Sequence, residues 1–370
     1  MSHTSRGPHL KERRPLPSSE VMPRLSFVIP GDLASRSGGY EYDRRIIDGL
    51  RRAGWTVDVI ALDGSFPRPT DAALADAERQ FAALEPGQLV LADGLAFGAM
   101  PTVAERHGSR LRVVALVHHP LAFESGLEDG VAAQLLRDES VALAAAAHVV
   151  VTSARTACAL ASLGVSEERI SVVVPGTDPV EACPQPSCPP RRLLCVGSVV
   201  PRKGHAVLID ALKRLRDLEW TLACVGSLTR SLATVEKLRQ QIDAAGLGER
   251  VTLAGECGEA GLREAYASAD LFVLPTLYEG YGMVVAEALA RGLPVIASRT
   301  GAIEELVGED AGVVVPPGDV EALTDALRRV LSDARFAHAL GDSARRRMRE
   351  LPTWSDASRD MATVLMRVAR

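Results

Sequence analysis

No apolar run in the 370 residues is long enough to span a bilayer, and the start carries no signal-peptide pattern. There is no basic excess: 42 Lys and Arg stand against 47 Asp and Glu, a net charge of −5, which leaves no electrostatic footprint for nucleic acid. The six cysteines lack zinc-ligand clustering and read as reduced thiols, Cys183 and Cys188 included. A cytoplasmic protein without a nucleic-acid partner is the expectation. Peripheral membrane contact is not favoured: the helix from Tyr40 carries Arg44, Arg45, Arg51 and Arg52, but Asp43 and Asp48 dilute that charge.

What is present is ample apolar content, 47% of residues, with buried-strand patterns alternating with helical ones. That alternation predicts α/β sheets, and the length suggests two domains. Residues 1–23 are polar, basic and proline-containing and read as a disordered tail. A first Rossmann-like domain is expected over 24–178 and a second over 192–345. Between them, 179–191 holds Pro179, Pro184, Pro186, Pro189 and Pro190 and reads as a stiff linker. Helical periodicity continues from Val320, and Thr353-Trp354-Ser355 opens a last helix in a segment over 346–370.

The chemistry concentrates after two strands of the second half. Leu271 to Pro275 reads as a strand buried on both faces, and Met283 to Arg291 as a helix stopped by Gly292. Between them lies Glu279-Gly280-Tyr281-Gly282-Met283, with Glu287 eight positions beyond Glu279. Backbone N–H groups of Gly280 to Met283 would be the unpaired donors at a helix start, where glycine lets an anion approach. Glu287, further into that helix, could accept from ribose hydroxyls, although a glutamate there also serves as ordinary dipole compensation. Upstream, the strand Leu193 to Val196 leads through Gly197 to Arg202-Lys203-Gly204. Two adjacent cations at the carboxyl end of a buried strand suit a diphosphate, the arginine as a fork and the lysine as a point charge.

These motifs, Glu279-x7-Glu287 with its Gly-Tyr-Gly centre and the Arg202-Lys203-Gly204 loop, resemble those of the retaining glycosyltransferases of family 4, over nearly the whole chain from Leu25. The resemblance implies a GT-B fold: two Rossmann-like, doubly wound parallel-sheet domains facing a central cleft. It implies transfer of a hexose-type sugar from a nucleoside diphosphate sugar, UDP- or GDP-type, to a hydroxyl-bearing small-molecule, glycan or lipid acceptor, with retention. Neither a metal nor a cofactor is implied. In the family the first glutamate contacts the donor sugar, the second the ribose, and an arginine and a lysine the diphosphate, which here would be Glu279, Glu287, Arg202 and Lys203. Many relatives carry the arginine directly after the strand's glycine, where this chain has Ser198, so Arg202 would supply that charge from four positions on.

In the first half, Leu25 to Pro30 reads as a strand, followed by a loop ending in Gly38-Gly39 and a helix from Tyr40 to Ala53. The resemblance brings that Gly38-Gly39 turn to the donor phosphates and acceptor. The strand from Leu111 to Val117 delivers His118-His119-Pro120 to its carboxyl end, where doubly wound sheets bind ligands. The two rings of adjacent residues point opposite ways. The family's histidine near sugar and acceptor corresponds to His118. The family's last helix crosses back to the first domain, which would make Trp354 a packing residue. Two rival readings stay open: a GT-B epimerase or phosphorylase, and a catalytically silent nucleotide-sugar-binding homologue.

Overall fold

The computed structural model describes residues 23–124, 127–178 and 189–370. The tail through residue 22 and the linker over 179–188, with Cys183 and Cys188, lie outside them. The first half runs β1 (Arg24–Pro30), α1 (Gly38–Arg52), β2 (Thr56–Leu62), α2 (Asp71–Ala82), β3 (Leu89–Asp93), α3 (Gly94–Phe97), α4 (Pro101–Gly108), β4 (Arg112–Val117), α5 (Asp129–Ala145), β5 (His148–Val151), α6 (Ala154–Ser162) and β6 (Ile170–Val172). The second runs β7 (Arg192–Val196), α7 (His205–Lys213), β8 (Thr221–Val225), α8 (Leu232–Ala244), β9 (Val251–Gly255), α9 (Glu259–Ser268), β10 (Leu271–Leu274), α10 (Met283–Ala290), β11 (Val295–Ser298), α11 (Ile303–Val307), β12 (Gly312–Val315), α12 (Val320–Ser332), α13 (Ala334–Arg347) and α14 (Trp354–Ala369).

Among the described residues the strands form two parallel sheets of six, ordered β2-β1-β3-β4-β5-β6 and β12-β11-β10-β7-β8-β9. Both orders reverse direction once, at β1/β3 in the first sheet and at β7/β10 in the second. At such a point the loops leaving neighbouring strands diverge to opposite faces and open a crevice at the strand ends. The central strands β3, β5, β10 and β11 are buried at every position, as apolar strands covered by helices on both faces must be.

α1 begins earlier than its sequence suggests. Ser37 is the N-cap, its hydroxyl accepting from the Tyr40 amide at 3.4 Å, so Gly38 and Gly39 form the first turn instead of a preceding loop. Its charge is also arranged differently from the expectation. Asp43 is fully buried and does not dilute a surface patch. Arg44 and Arg45 are engaged by Glu41, and Arg45 also by Asp178.

α14 completes the first domain although it follows the second in sequence. Thr353 caps it in a reciprocal capping box with Asp356, and Thr177 pairs with Thr353 in an isolated bridge. Trp354, Ala357, Met361 and Leu365 then pack with Tyr42, Ile46 and Leu50 of α1 above Leu25 and Phe27 of β1. His148 is a packing residue: its Nε2 lies 2.9 Å from Ser171 Oγ and 3.0 Å from Arg367 of α14. Met361 is fully buried in this seam. Met361→Ala is therefore expected to destabilise the protein by about 2–5 kcal/mol, through lost burial and the cavity left behind, as read by denaturant unfolding; a change within about 0.5 kcal/mol would show that α14 carries little of the first domain's stability.

Candidate active site

The switch point of the second sheet is built from two loops. After β7 the chain turns through a 3₁₀ segment, Pro201–Lys203, before α7. After β10 it runs through Thr276 to Gly282 into α10. The two loops are tied by backbone: the Leu277 amide donates to Arg202 O at 2.7 Å, and the Thr276 hydroxyl donates to the same oxygen at 3.0 Å. Lys203 and Glu279 are thereby brought face to face, with Nζ donating to Oε2 at 2.6 Å. Arg202 lies 3.8 Å from the same carboxylate and donates to Tyr278 O at 2.9 Å. Burial alone would push the Glu279 carboxyl upward; the charges of Lys203 and Arg202 outweigh it and hold Glu279 below the usual range.

Gly282 is the N-cap of α10 with φ 95°, a left-handed conformation suited to glycine, and no side chain caps this helix start. Gly280 has a different constraint: a Cβ there would sit 2.3 Å from the His118 carbonyl oxygen. The backbones of the two domains touch at this place, and only a residue without a side chain permits it. Tyr281 is buried in the core of the second domain with Val285 and Ile303 rather than turned toward the cleft. Met283 packs against both domain cores, and its sulfur would lie 3.7 Å from a Cβ on Gly38. Glu287 is more enclosed than its position suggested. Its Oε2 accepts from the Tyr266 hydroxyl at 2.9 Å, and burial raises its pKa against the pull of that bond and of Arg291.

Across the cleft the first domain presents the strand-end loop after β4. His118 Nε2 lies 3.3 Å from Asp43 Oδ1 and 3.8 Å from Asp93 Oδ2. The ring edge meets Tyr42 with centroids 5.3 Å apart, and a Cβ on Gly39 would touch it at 3.3 Å. Burial lowers the His118 pKa, opposed by the charge of Asp93. The next ring, His119, faces the other way, 3.5 Å from Glu124 and beside Tyr278 at a centroid distance of 6.0 Å. Glu124 bridges the domains by accepting from Arg202 Nε at 3.0 Å. Further contacts join the domains at the cleft rim, where Arg36 donates to Cys257 O and Arg230 donates to Arg36 O.

The four residues Arg202, Lys203, Glu279 and His118 thus converge on one cleft, with Gly280 against the His118 backbone, Gly39 against the His118 ring, Gly38 against Met283 and Gly282 beside Glu279. Glu287 lies one turn deeper, and Tyr281 belongs to the core. Sequence reasoning missed Asp43, Asp93 and Glu124. Asp93 ends a buried strand, the same signal that singled out His118. Asp43 precedes Ile46 and Ile47 by three and four residues, which puts it on the buried face of α1.

Residues 187–347 match the family model described as glycosyl transferases group 1. Over 275 residues the chain is 33% identical to MMP alpha-(1->4)-mannosyltransferase of Mycolicibacterium hassiacum, covering 70% of this chain and 66% of that protein. The second half of the chain carries a group 1 glycosyltransferase domain. A second relative, the GDP-mannose-dependent alpha-(1-6)-phosphatidylinositol monomannoside mannosyltransferase of Mycolicibacterium smegmatis, is 35% identical over 163 residues, 41% of this chain and 42% of that one. The chain therefore spans less than two thirds of the length of these relatives. The architecture matches sucrose-phosphate synthase from Thermosynechococcus elongatus with a TM-score of 0.78 at 23% identity, covering 94% of this chain and 99% of the other. Anabaena HepE in complex with UDP-glucose gives 0.75 at 20% identity, over 93% and 99%. The fold is GT-B. Among the described residues no helix is long and apolar enough to cross a membrane.

Glu139 of α5 supports the His118 loop from behind. It is fully buried, its Oε2 accepts from the Leu121 amide at 2.9 Å, and its Oε1 has no partner. Burial pushes its carboxyl up to about 7, despite the Leu121 bond. A raised folded-state pKa means stability that is full below the ordinary glutamate range and is lost as pH rises through about 7. Glu139→Gln should accordingly raise the melting temperature relative to wild type at pH 8 and not at pH 4; equal differences at both values would show that the carboxyl does not titrate there.

Proposed function

We propose that this chain transfers a hexose-type sugar from a nucleoside diphosphate sugar to a hydroxyl group of an acceptor, with retention and without a divalent metal. The observation that carries this reading is the meeting of Lys203, Arg202 and Glu279 at a sheet switch point opposite His118, beside the uncapped start of α10. The names of the relatives, two of them mannosyltransferases and one GDP-mannose-dependent, and the UDP-glucose of the HepE complex support a sugar-nucleotide donor.

In such a transfer the glycosidic bond to the diphosphate breaks and negative charge grows on the leaving group. Lys203 and Arg202 supply fixed positive charge at that position, and the α10 N-terminus adds N–H donors aligned with its dipole. Lys203 carries three N–H donors, so it can keep Glu279 while contacting a phosphate oxygen. Glu279, held ionised by that bond, accepts from donor-sugar hydroxyls. Glu287 takes the ribose, with Tyr266 fixing the carboxylate's rotamer. His118 stands on the acceptor side. With a cationic pair next to the diphosphate, the charge role of a divalent ion is already filled. Retention without an obvious nucleophile favours front-face attack, in which a donor phosphate oxygen takes the acceptor's proton, over a covalent double displacement.

Incubation with UDP-, GDP-, ADP- and dTDP-sugars, with and without EDTA, should show one donor that stabilises the protein and releases its nucleoside diphosphate in both conditions. Lys203→Ala should lower turnover about 10²–10³-fold, the scale of losing one preorganised charge contact to a transition state, measured where the variant is still folded, because Glu279 then loses its buried partner and stability falls as well. Wild-type turnover by purified Lys203→Ala would sink the assignment. Glu287→Ala should weaken donor binding in calorimetry more than it lowers the maximal rate. Donor binding without any product would favour a silent nucleotide-sugar-binding protein.

A further inference from the structure

Two carboxylic acids sit behind His118, and among the described residues no Arg or Lys forms an ion pair with either, although the charge of Arg44 acts on Asp43. Asp43 of α1 is fully buried and Asp93, the last residue of β3, is 4% exposed. One carboxyl oxygen of each and a ring nitrogen of His118 lie within 4.8 Å of one another. Asp93 Oδ1 accepts from the Leu95 amide at 2.6 Å, Asp43 Oδ1 faces His118 Nε2, and Asp43 Oδ2 is buried without a partner. Two carboxylates buried this close repel each other when both are ionised, and a hydrogen bond between them needs a proton on one.

The surroundings do not relieve the charge. Tyr40 and Tyr42 of α1 are neutral phenols held well above their ordinary range, burial being the first cause in each. Asp32 of the loop before α1 adds negative charge, and Arg230 of the second domain acts on Tyr40 from across the cleft. Arg44, the nearest cation on α1, is already bonded to Glu41 and to the carbonyls of Leu33 and Ser35. Burial therefore raises both carboxyls, and the charge of Asp43 raises Asp93 further. The three groups offer atoms within 4.8 Å of one another, close enough to hold a cation in principle. A proton held between the carboxyls would give Asp43 Oδ2 the partner it lacks without bringing a cation into the buried site.

We propose that Asp43 and Asp93 share a single proton and act as a positioning pair for His118, holding its Nε2–H toward Asp43 so that the imidazole stands neutral at the acceptor side of the cleft. The pair keeps one negative charge, enough to fix the tautomer and too little to protonate the ring. Raising the pH removes the shared proton. The buried site then carries two charges, His118 is drawn toward its cationic form, and the ring orientation changes. The catalytic consequence rests on the transfer reaction proposed above; the shared proton does not.

The test compares wild type with Asp93→Asn and Asp43→Asn, each of which replaces the protonated acid by an amide that can donate in its place. In the full chain, the folded pair retains one proton that the unfolded chain has lost, so wild-type stability should fall as pH rises from the ordinary aspartate range to the point where that proton leaves the folded pair. The ratio of variant to wild-type unfolding constants should change by about tenfold per pH unit across that interval and level off above it. Nitrogen NMR on histidine-labelled protein, assigned by His118→Gln, should show His118 protonated at Nε2 alone at pH 7 in wild type. The alkaline limb of kcat/KM should move upward by about one pH unit or more in the variants, tenfold or more in proton concentration. Parallel stability curves for wild type and both variants would overturn the shared proton, as would stoichiometric binding of Zn²⁺ or Mn²⁺ to wild type that is lost in both variants. A stability difference with unmoved alkaline limbs would overturn the positioning role. The stability and NMR signatures without turnover of any donor would keep the shared proton and count against the transferase reading.

Discussion

Glu279 is a carboxylate withdrawn from water, and its burial is tolerable only because Lys203 and Arg202 reach it from another strand. An isolated buried charge of this kind would take up a proton or force the site open. The ion pair therefore has requirements that propagate outward. Lys203 needs the 3₁₀ turn after β7, that turn needs the carbonyl of Arg202 held by Leu277 and Thr276, and those residues need β10 beside β7. The strand order that creates the crevice also assembles the group of charges inside it.

The second constraint is the distance between the domains. Gly280 against the His118 carbonyl is a contact of backbone on backbone, reinforced by Arg202 with Glu124 and by His119 with Tyr278. These contacts bring groups from β4 and β10 into one cleft, where the burial of Lys203 and Glu279 strengthens their charge interaction. Glu124 is held down to about 2, its burial outweighed by His119 and Arg202, so the bridge persists across the physiological pH range.

The two sides of the cleft treat acid groups in opposite ways. On the second-domain side each buried carboxylate has a definite partner: Glu279 has Lys203, and Glu287 has Tyr266. On the first-domain side Asp43 and Asp93 stand beside each other and His118. In the proposed transfer that contrast would set positive charge against an anionic donor and proton-exchanging groups against a neutral hydroxyl.

Much of this was legible in the order of residues. Strand ends with Gly-x-x or Pro after them gave β1, β4, β7 and β10, because buried parallel strands are short apolar runs, and local spacing put Arg202, Lys203, Glu279 and His118 at their carboxyl ends. Those facts depend on neighbours within a few positions. Tertiary structure alone decided which strand ends meet, that Gly38 and Gly39 sit inside a helix, that Tyr281 turns into the core, and that Asp43 joins Asp93 across fifty residues. It also decided that Lys203 spends its charge on Glu279. The physical reason is that a side chain's partner and its degree of burial are set by long-range packing, and a buried charge is defined by what stands opposite it.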